Sequence, residues 1–154
     1  MNIKKKILGI TIAPVIILGL ISMFLTTTMV RSAMLEEIEE ALRGTAAATL
    51  AAYDQNTGDY LQTSNGDIWK GSYNISKSES LVDRIKGNTG MDVTFFYGDT
   101  RIMTSAVDAG GNRILNSKAG DRIVEKVLQG GESYFSHAVS IEGTLNYGYF
   151  IPVY

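Results

Sequence analysis

From Ile7 to Val30 the chain carries no charged residue, and Ile, Leu, Val and Met dominate. At about 1.5 Å per residue such a run makes a helix roughly 36 Å long, enough to cross a hydrocarbon core of about 30 Å with tilt. A cleaved signal peptide has an apolar region of only about 7–15 residues, so the run reads as a membrane anchor. Pro14 inside it implies a kink at most. The helical period then continues to about Tyr53. Met34, Leu35, Ile38, Leu42, Ala46, Leu50 and Tyr53 recur at three- and four-residue steps, while Glu36, Glu37, Glu39, Glu40 and Arg43 take the other side. The four acids read as a solvated helix face.

After Asp54 the pattern becomes polar and then alternates. Asn-Thr-Gly and Ser-Asn-Gly mark a loop from Asp54 to Asn65. One strand is expected over Asp67–Ile75, with Ile68, Trp69, Tyr73 and Ile75 as its bulky residues. Ser78 caps a helix from Glu79 to about Lys86, ended by Gly87 and Gly90. In Met91–Tyr97 the residues Val93, Phe95 and Tyr97 point one way, and Asp92, Thr94 and Phe96 the other. Gly98-Asp99 turns the chain into Arg101–Val107, and residues 108–112 form a second turn. Gly120-Asp121 opens a helix with Ile123, Val124, Val127 and Leu128 inside, closed by Gly130-Gly131. Two strands, Ser133–Ile141 and Thr144–Val153, join at Glu142-Gly143. A long N-terminal helix before an antiparallel sheet with short helices is an α+β architecture. One sheet face packs on the long helix; the other needs a cover or a ligand.

Composition narrows the function. The 154 residues carry 14 basic and 16 acidic side chains, so no electrostatic argument favours nucleic acid. Cysteine is absent, which excludes disulfides and zinc–thiolate sites. Lys4, Lys5 and Lys6 precede the span and a lone Arg31 follows it, which places the N-terminus in the cytoplasm and the rest outside. The exported part shows no paired carboxylates, metal cluster or nucleophile–base constellation, so neither catalysis nor a cofactor is expected. His137, the only histidine, reads as a packed or edge residue. Asp108 and Asp121 sit where carboxylates cap turns and helices. Asn74-Ile75-Ser76 fits a glycosylation acceptor, a match that arises often by chance. The glycines of residues 109–112 lack the Lys-Ser/Thr that a phosphate loop requires.

Several stretches together resemble the single Cache sensor domain of bacterial methyl-accepting chemotaxis proteins. They are Asp67-Ile-Trp-Lys-Gly, Thr89 through Arg101, Thr104-Ser105, and Tyr147-Gly-Tyr-Phe-Ile-Pro-Val. The resemblance implies an extracytoplasmic PAS-like sheet that binds a small molecule and shifts a signalling helix. It divides the chain into a cytoplasmic basic tail (1–6), a transmembrane helix (7–30), a long signalling helix and loop (31–65) and a sensor domain (66–154). Receptors of this kind continue into further strands, a second span and a cytoplasmic coiled coil. Tyr154 falls in mid-domain, so the chain reads as an N-terminal sensor fragment with an incomplete C-terminal end. The expected partners are a small molecule, such as an anionic metabolite or amino acid, the membrane, and a second copy through the long helix. Similar heads serve membrane histidine kinases and cyclic-dinucleotide enzymes, and an anchored periplasmic enzyme is a third reading.

The resemblance also implies a pocket on the sheet face away from the long helix, lined by aromatic side chains. Arg101 is the expected anchor for a carboxylate or phosphate, because its guanidinium offers a rigid two-pronged donor. Thr104 offers a hydroxyl from the same strand. Strict alternation sets it on the opposite face, so a bulge is needed for the two to converge. Trp69, Tyr73, Tyr97, Tyr134 and Tyr149 are candidate walls, as is Tyr147, each with plain core packing as its ordinary alternative.

Overall fold

The structure, a computed structural model, describes the backbone of residues 3–154 and the side chains from residue 11 onward. The side chains of the expected basic tail, residues 1–6, lie outside the described ones. The chain divides into two compact units, with the division after Ile38. One helix, α1 (Ile3–Asp54), supplies the whole of the first unit's described structure. Among the described residues it is the helix long and apolar enough to cross a membrane. Val15, Leu18, Phe24 and Met29 all expose their side chains on it. The hydroxyls of Thr27, Thr28 and Ser32 donate back to the carbonyls of Met23, Phe24 and Met29. These three hydroxyls therefore need no partner outside the helix, as a hydrocarbon environment demands.

The second unit is a mixture of short helices and small antiparallel sheets. Strands β1 (Tyr60–Gln62), β2 (Ile68–Lys70) and β3 (Tyr73–Asn74) form one sheet in that order. A single helical turn (Ile75–Lys77) leads into α2 (Glu79–Thr89). A second sheet pairs β4 (Thr94–Tyr97) with β5 (Thr100–Thr104). After α3 (Asp121–Ile123), which continues as a wider π-helical segment (Val124–Gln129), a third sheet pairs β6 (Tyr134–Ile141) with β7 (Thr144–Phe150).

Several expectations are corrected. The anticipated single sheet is three small ones. The outer edge of β5 is taken by residues 113–118: the Arg101 N–H donates to the Ser117 carbonyl, and the Asn116 N–H to the Arg101 carbonyl. No edge of β5 is left for β6. The anticipated strand over Asp67–Ile75 breaks into β2 and β3 at Gly71, which has φ of 56°. A Cβ at Gly71 would lie 1.9 Å from the Thr57 carbonyl oxygen, so no other residue fits there. The anticipated loop before it contains β1. Gly87 lies inside α2; Gly90, left-handed at φ 73°, ends that helix by donating to the Lys86 carbonyl. Ser78 precedes α2 without capping it through its side chain. Leu128 is exposed rather than inward, because π-helical winding abandons the 3.6-residue period on which its placement rested. The last strand stops at Phe150, short of Val153.

The core sits where the end of α1 meets the sheets. Tyr53, Ile68 and Ile75 are buried together, with Tyr60, Tyr73, Leu81, Phe95 and Ile102 packed around them. The Tyr53 ring meets Phe95 edge-on at 4.4 Å and Tyr73 at 5.7 Å between centroids. Its hydroxyl bonds Ser78, whose own hydroxyl donates to the Ile75 carbonyl. A second cluster of Val82, Val93 and Met103 ties α2 to the β4–β5 sheet through Ile85 and the shared Phe95.

Two predictions follow from this core. Gly71→Ala should destabilise the full chain in detergent by about 2 kcal/mol or more, read as a lowered unfolding midpoint. A midpoint equal to wild type would show that the turn tolerates a side chain. Burial pushes the Tyr53 phenol up to about 12, with Tyr73 and Tyr60 acting in the same sense and the Ser78 hydrogen bond against it. Tyr60 is likewise pushed up to about 12, first by burial and then by Asp54. A phenol in the unfolded chain ionises near 10, so this stability is whole below about pH 10 and is lost as pH rises toward 12. Tyr53→Phe should therefore flatten the alkaline fall in unfolding midpoint between pH 10 and 12. An unchanged slope would contradict the burial of this phenol.

Candidate ligand site on the β4–β5 hairpin

Gly98-Asp99 closes the β4–β5 hairpin, with Gly98 at φ 57°. Its register pairs Thr94 with Thr104, Phe95 with Met103, Phe96 with Arg101 and Tyr97 with Thr100, which leaves Ile102 as an extra residue in β5. That bulge resets the alternation. Thr94 and Phe96 share one face of β4, so their partners Thr104 and Arg101 share it too. The convergence that strict alternation forbids is supplied by Ile102. Phe95 and Met103 take the opposite face toward the core, and Ile102 packs with the Tyr53 cluster.

Arg101 is only 6% exposed. Its Nη1 donates to the Ile114 carbonyl at 3.4 Å, a long contact, and its Nε–H is buried without a partner. The guanidinium lies over the Phe96 ring, 5.5 Å from the centroid. No carboxylate pairs with it among the described residues. Asp92 is the charge that acts on it, but that carboxylate is held by Lys86 and by the Ser105 hydroxyl, each at 2.8 Å. Burial pushes the Arg101 pKa down and Asp92 acts weakly against this. A guanidinium keeps its proton regardless, so the fold holds a buried cation with no carboxylate in direct contact, and Asp92, which it feels at a distance, is already paired with Lys86. Such a cation costs several kcal/mol unless something else neutralises it.

Thr104 stands beside it, already engaged within the hairpin. It is fully buried; its hydroxyl bonds the Thr94 hydroxyl at 2.7 Å and accepts from the Ala106 N–H at 3.1 Å. Its carbonyl accepts from Arg113 Nη1 at 2.7 Å.

Of the remaining candidate residues only Tyr134 lies on a side that reaches this face, through its strand partner Phe150 and the Phe96 ring. Trp69 sits half-buried in β2, opposite Leu61 and Asn74. Tyr73 packs against the Tyr53 cluster, on the core side of the hairpin. Tyr97 follows Phe96 and is half exposed. In the third sheet Tyr134 pairs with Phe150 and Phe135 with Tyr149, so Tyr134 and Tyr149 face opposite sides. Tyr134 shares its side with Phe150, whose ring lies 6.4 Å from Phe96. Tyr149 shares the other side with Phe135, whose ring contacts His137 and Tyr147. His137 is an exposed residue at a bulge in β6. Phe96 and Ser117 are the site residues that sequence reasoning passed over. The alternation of residues 91–97 gives Phe96 a face but no role, and Ser117 lies in a segment with no periodic pattern.

Residues 73–154, just over half of the chain, match the family model for single Cache domain 3. The chain belongs to the single Cache family. Comparison with curated proteins and with solved structures gives no match. Cache domains are sensor modules that bind small molecules outside the cell, and among the described residues one N-terminal helix is long and apolar enough to cross a membrane, which fits a membrane protein with an extracytoplasmic sensor. The mixed α+β architecture, a long apolar helix followed by small antiparallel sheets, is that of a Cache domain.

In this Cache domain the Thr104 hydroxyl is part of the hairpin's own bonding. Thr104→Val keeps the shape but strands the Ala106 N–H and the Thr94 hydroxyl in a buried setting, at about 1–3 kcal/mol. The unfolding midpoint of the full chain should fall accordingly. A Thr104→Val protein as stable as wild type, yet deficient in binding, would make this hydroxyl a ligand contact instead.

Proposed function

We propose that this chain is the sensing part of a bacterial methyl-accepting chemotaxis receptor. In this reading residues 7–30 cross the membrane with the N-terminus in the cytoplasm, and residues 66–154 form the sensor outside. Two copies associate through the long helix. The single observation that carries the sensing function is Arg101: a buried, charged, incompletely bonded side chain on the face of β4–β5 away from the core. Structural positions are normally satisfied, and an orphaned buried donor in a family of sensors marks where a ligand completes the bonding. The Lys4–Lys6 cluster before the span, against one Arg31 after it, supports the orientation.

The reading is tested at two levels. A reporter enzyme that works only after export, fused after Tyr53, should be active, and a cytoplasm-only reporter at the same point silent. The opposite pair of results reverses the topology. In the native cell, disrupting the gene that encodes this chain should abolish the swimming response to at least one small compound in a capillary assay. Intact swimming responses, with altered gene expression or cyclic-dinucleotide levels instead, would assign the sensor to another class of receptor.

A further inference from the structure

Residues Arg113–Lys118 form a strap along the outer edge of β5, pinned at both ends. Arg113 grips Asp83 of α2 through two hydrogen bonds, at 2.9 and 2.6 Å. Lys118 bonds Asp99 at 2.7 Å and the Thr100 hydroxyl at 2.8 Å. These cations hold the carboxyls of Asp83 and Asp99 below the usual carboxylate range. Between the pins, Asn116 and Ser117 both stand opposite Arg101. Asn116 has φ of 61°, a left-handed conformation that asparagine tolerates, and it bulges the strap at this point. The Ser117 hydroxyl is buried and has no partner. Two orphaned polar atoms, Arg101 Nε and Ser117 Oγ, thus belong to residues joined backbone to backbone.

We infer that Arg101 and Ser117 form a subsite for one carboxylate group of a small, singly charged organic acid, with the strap as its closing wall. The inference rests on the sensing reading and names the ligand class for the same face. Charge balance sets the number: Lys86 already neutralises Asp92, the one carboxylate that acts on Arg101, so a single positive charge is left and one carboxylate balances it. A dianion would bring a surplus charge into the site, since Arg113 and Lys118 are committed to Asp83 and Asp99. Geometry sets the approach. The guanidinium lies over the Phe96 ring and Nη1 reaches Ile114, which leaves the unpartnered Nε edge of the fork for a planar, two-oxygen acceptor. The Ser117 hydroxyl donates the further hydrogen bond that fixes the carboxylate in place. Entry requires the strap to lift. Of the two pins, the exposed Lys118–Asp99 pair is of the kind that stabilises little and is screened by salt, so the strap lifts from that end, while Arg113 stays held by its paired bonds to Asp83 and by the Thr104 carbonyl.

The test titrates the full chain in lipid nanodiscs with monocarboxylates from formate to benzoate, with acetamide, with succinate and with inorganic phosphate. Binding is read by calorimetry, and the unfolding temperature is recorded with and without each compound. At least one monocarboxylate should bind saturably and raise the unfolding temperature, while acetamide does neither. Ser117→Ala should weaken that binding about five- to tenfold. Its ligand-free unfolding temperature should stay level or rise, because an unsatisfied buried hydroxyl has been removed. Arg101→Lys, which keeps the charge but loses the fork, should weaken binding at least as much. Unchanged monocarboxylate affinity in Ser117→Ala overturns the subsite, and so does tighter binding of succinate or phosphate. A Ser117→Ala chain with a lowered ligand-free unfolding temperature would make the hydroxyl a structural one and overturn its assigned role. If no carboxylate binds but an uncharged compound from a metabolite panel does, the subsite fails and the sensing reading stands. If nothing in either set binds, both fail.

Discussion

The second unit depends on the burial of Tyr53 at the end of α1. Its ring is the point where the helix, the first sheet and the β4–β5 hairpin touch, through Tyr73 on one side and Phe95 on the other. Edge-on ring pairs at these separations contribute about 0.5–1.5 kcal/mol each beyond the area they bury. Its hydroxyl, bonded to Ser78, fixes where α2 begins. The helix end is thereby located against three elements by one side chain. Phe95 then sets the hairpin's orientation, because whichever face carries Phe95 and Met103 must lie on the core.

From that constraint the character of the other face follows. If β5 alternated regularly, Arg101 and Met103 would share the core face, and a guanidinium would be driven among Tyr53, Val82 and Val93. The extra residue at Ile102 separates them. It lets an apolar side chain stay on the core while Arg101 turns to the side with Phe96, Thr94 and Thr104. A polar face is thus produced by one inserted residue in a five-residue strand. The cost is a cation buried without a carboxylate paired to it, a cost that binding of an anion would offset. A site of this kind trades stability in the empty state for affinity in the filled one.

The long elements were legible in the sequence and the local irregularities were not. The helix through Tyr53 declares itself by a charge-free run followed by steady three- and four-residue spacing. The Gly98-Asp99 and Glu142-Gly143 hairpins declare themselves by turn chemistry between alternating strands. Residues 67–75 read as one strand because Gly71 alone does not say that its φ is positive; the Thr57 carbonyl that requires it lies 14 positions away. Leu128 was misplaced because π-helical winding leaves no mark on composition. Arg101 was identifiable as a charge between aromatic neighbours. The bulge that gives it a shared face with Thr104 was recognisable as a requirement, though not as a fact. Ser117 carries no signal beyond the neighbouring asparagine, a residue that accepts left-handed turns.

The central claim is that ligand is held on the face of β4–β5 away from the core, under the strap at residues 113–118. Amide hydrogen exchange of the full chain in nanodiscs, with and without a saturating compound that stabilises it, tests this most directly. The account predicts that protection rises most in residues 94–104 and 113–118, with little change in β1, β2 and β3. Protection concentrated in residues 60–74, around Trp69 and Tyr73, with the strap unaffected, would contradict it.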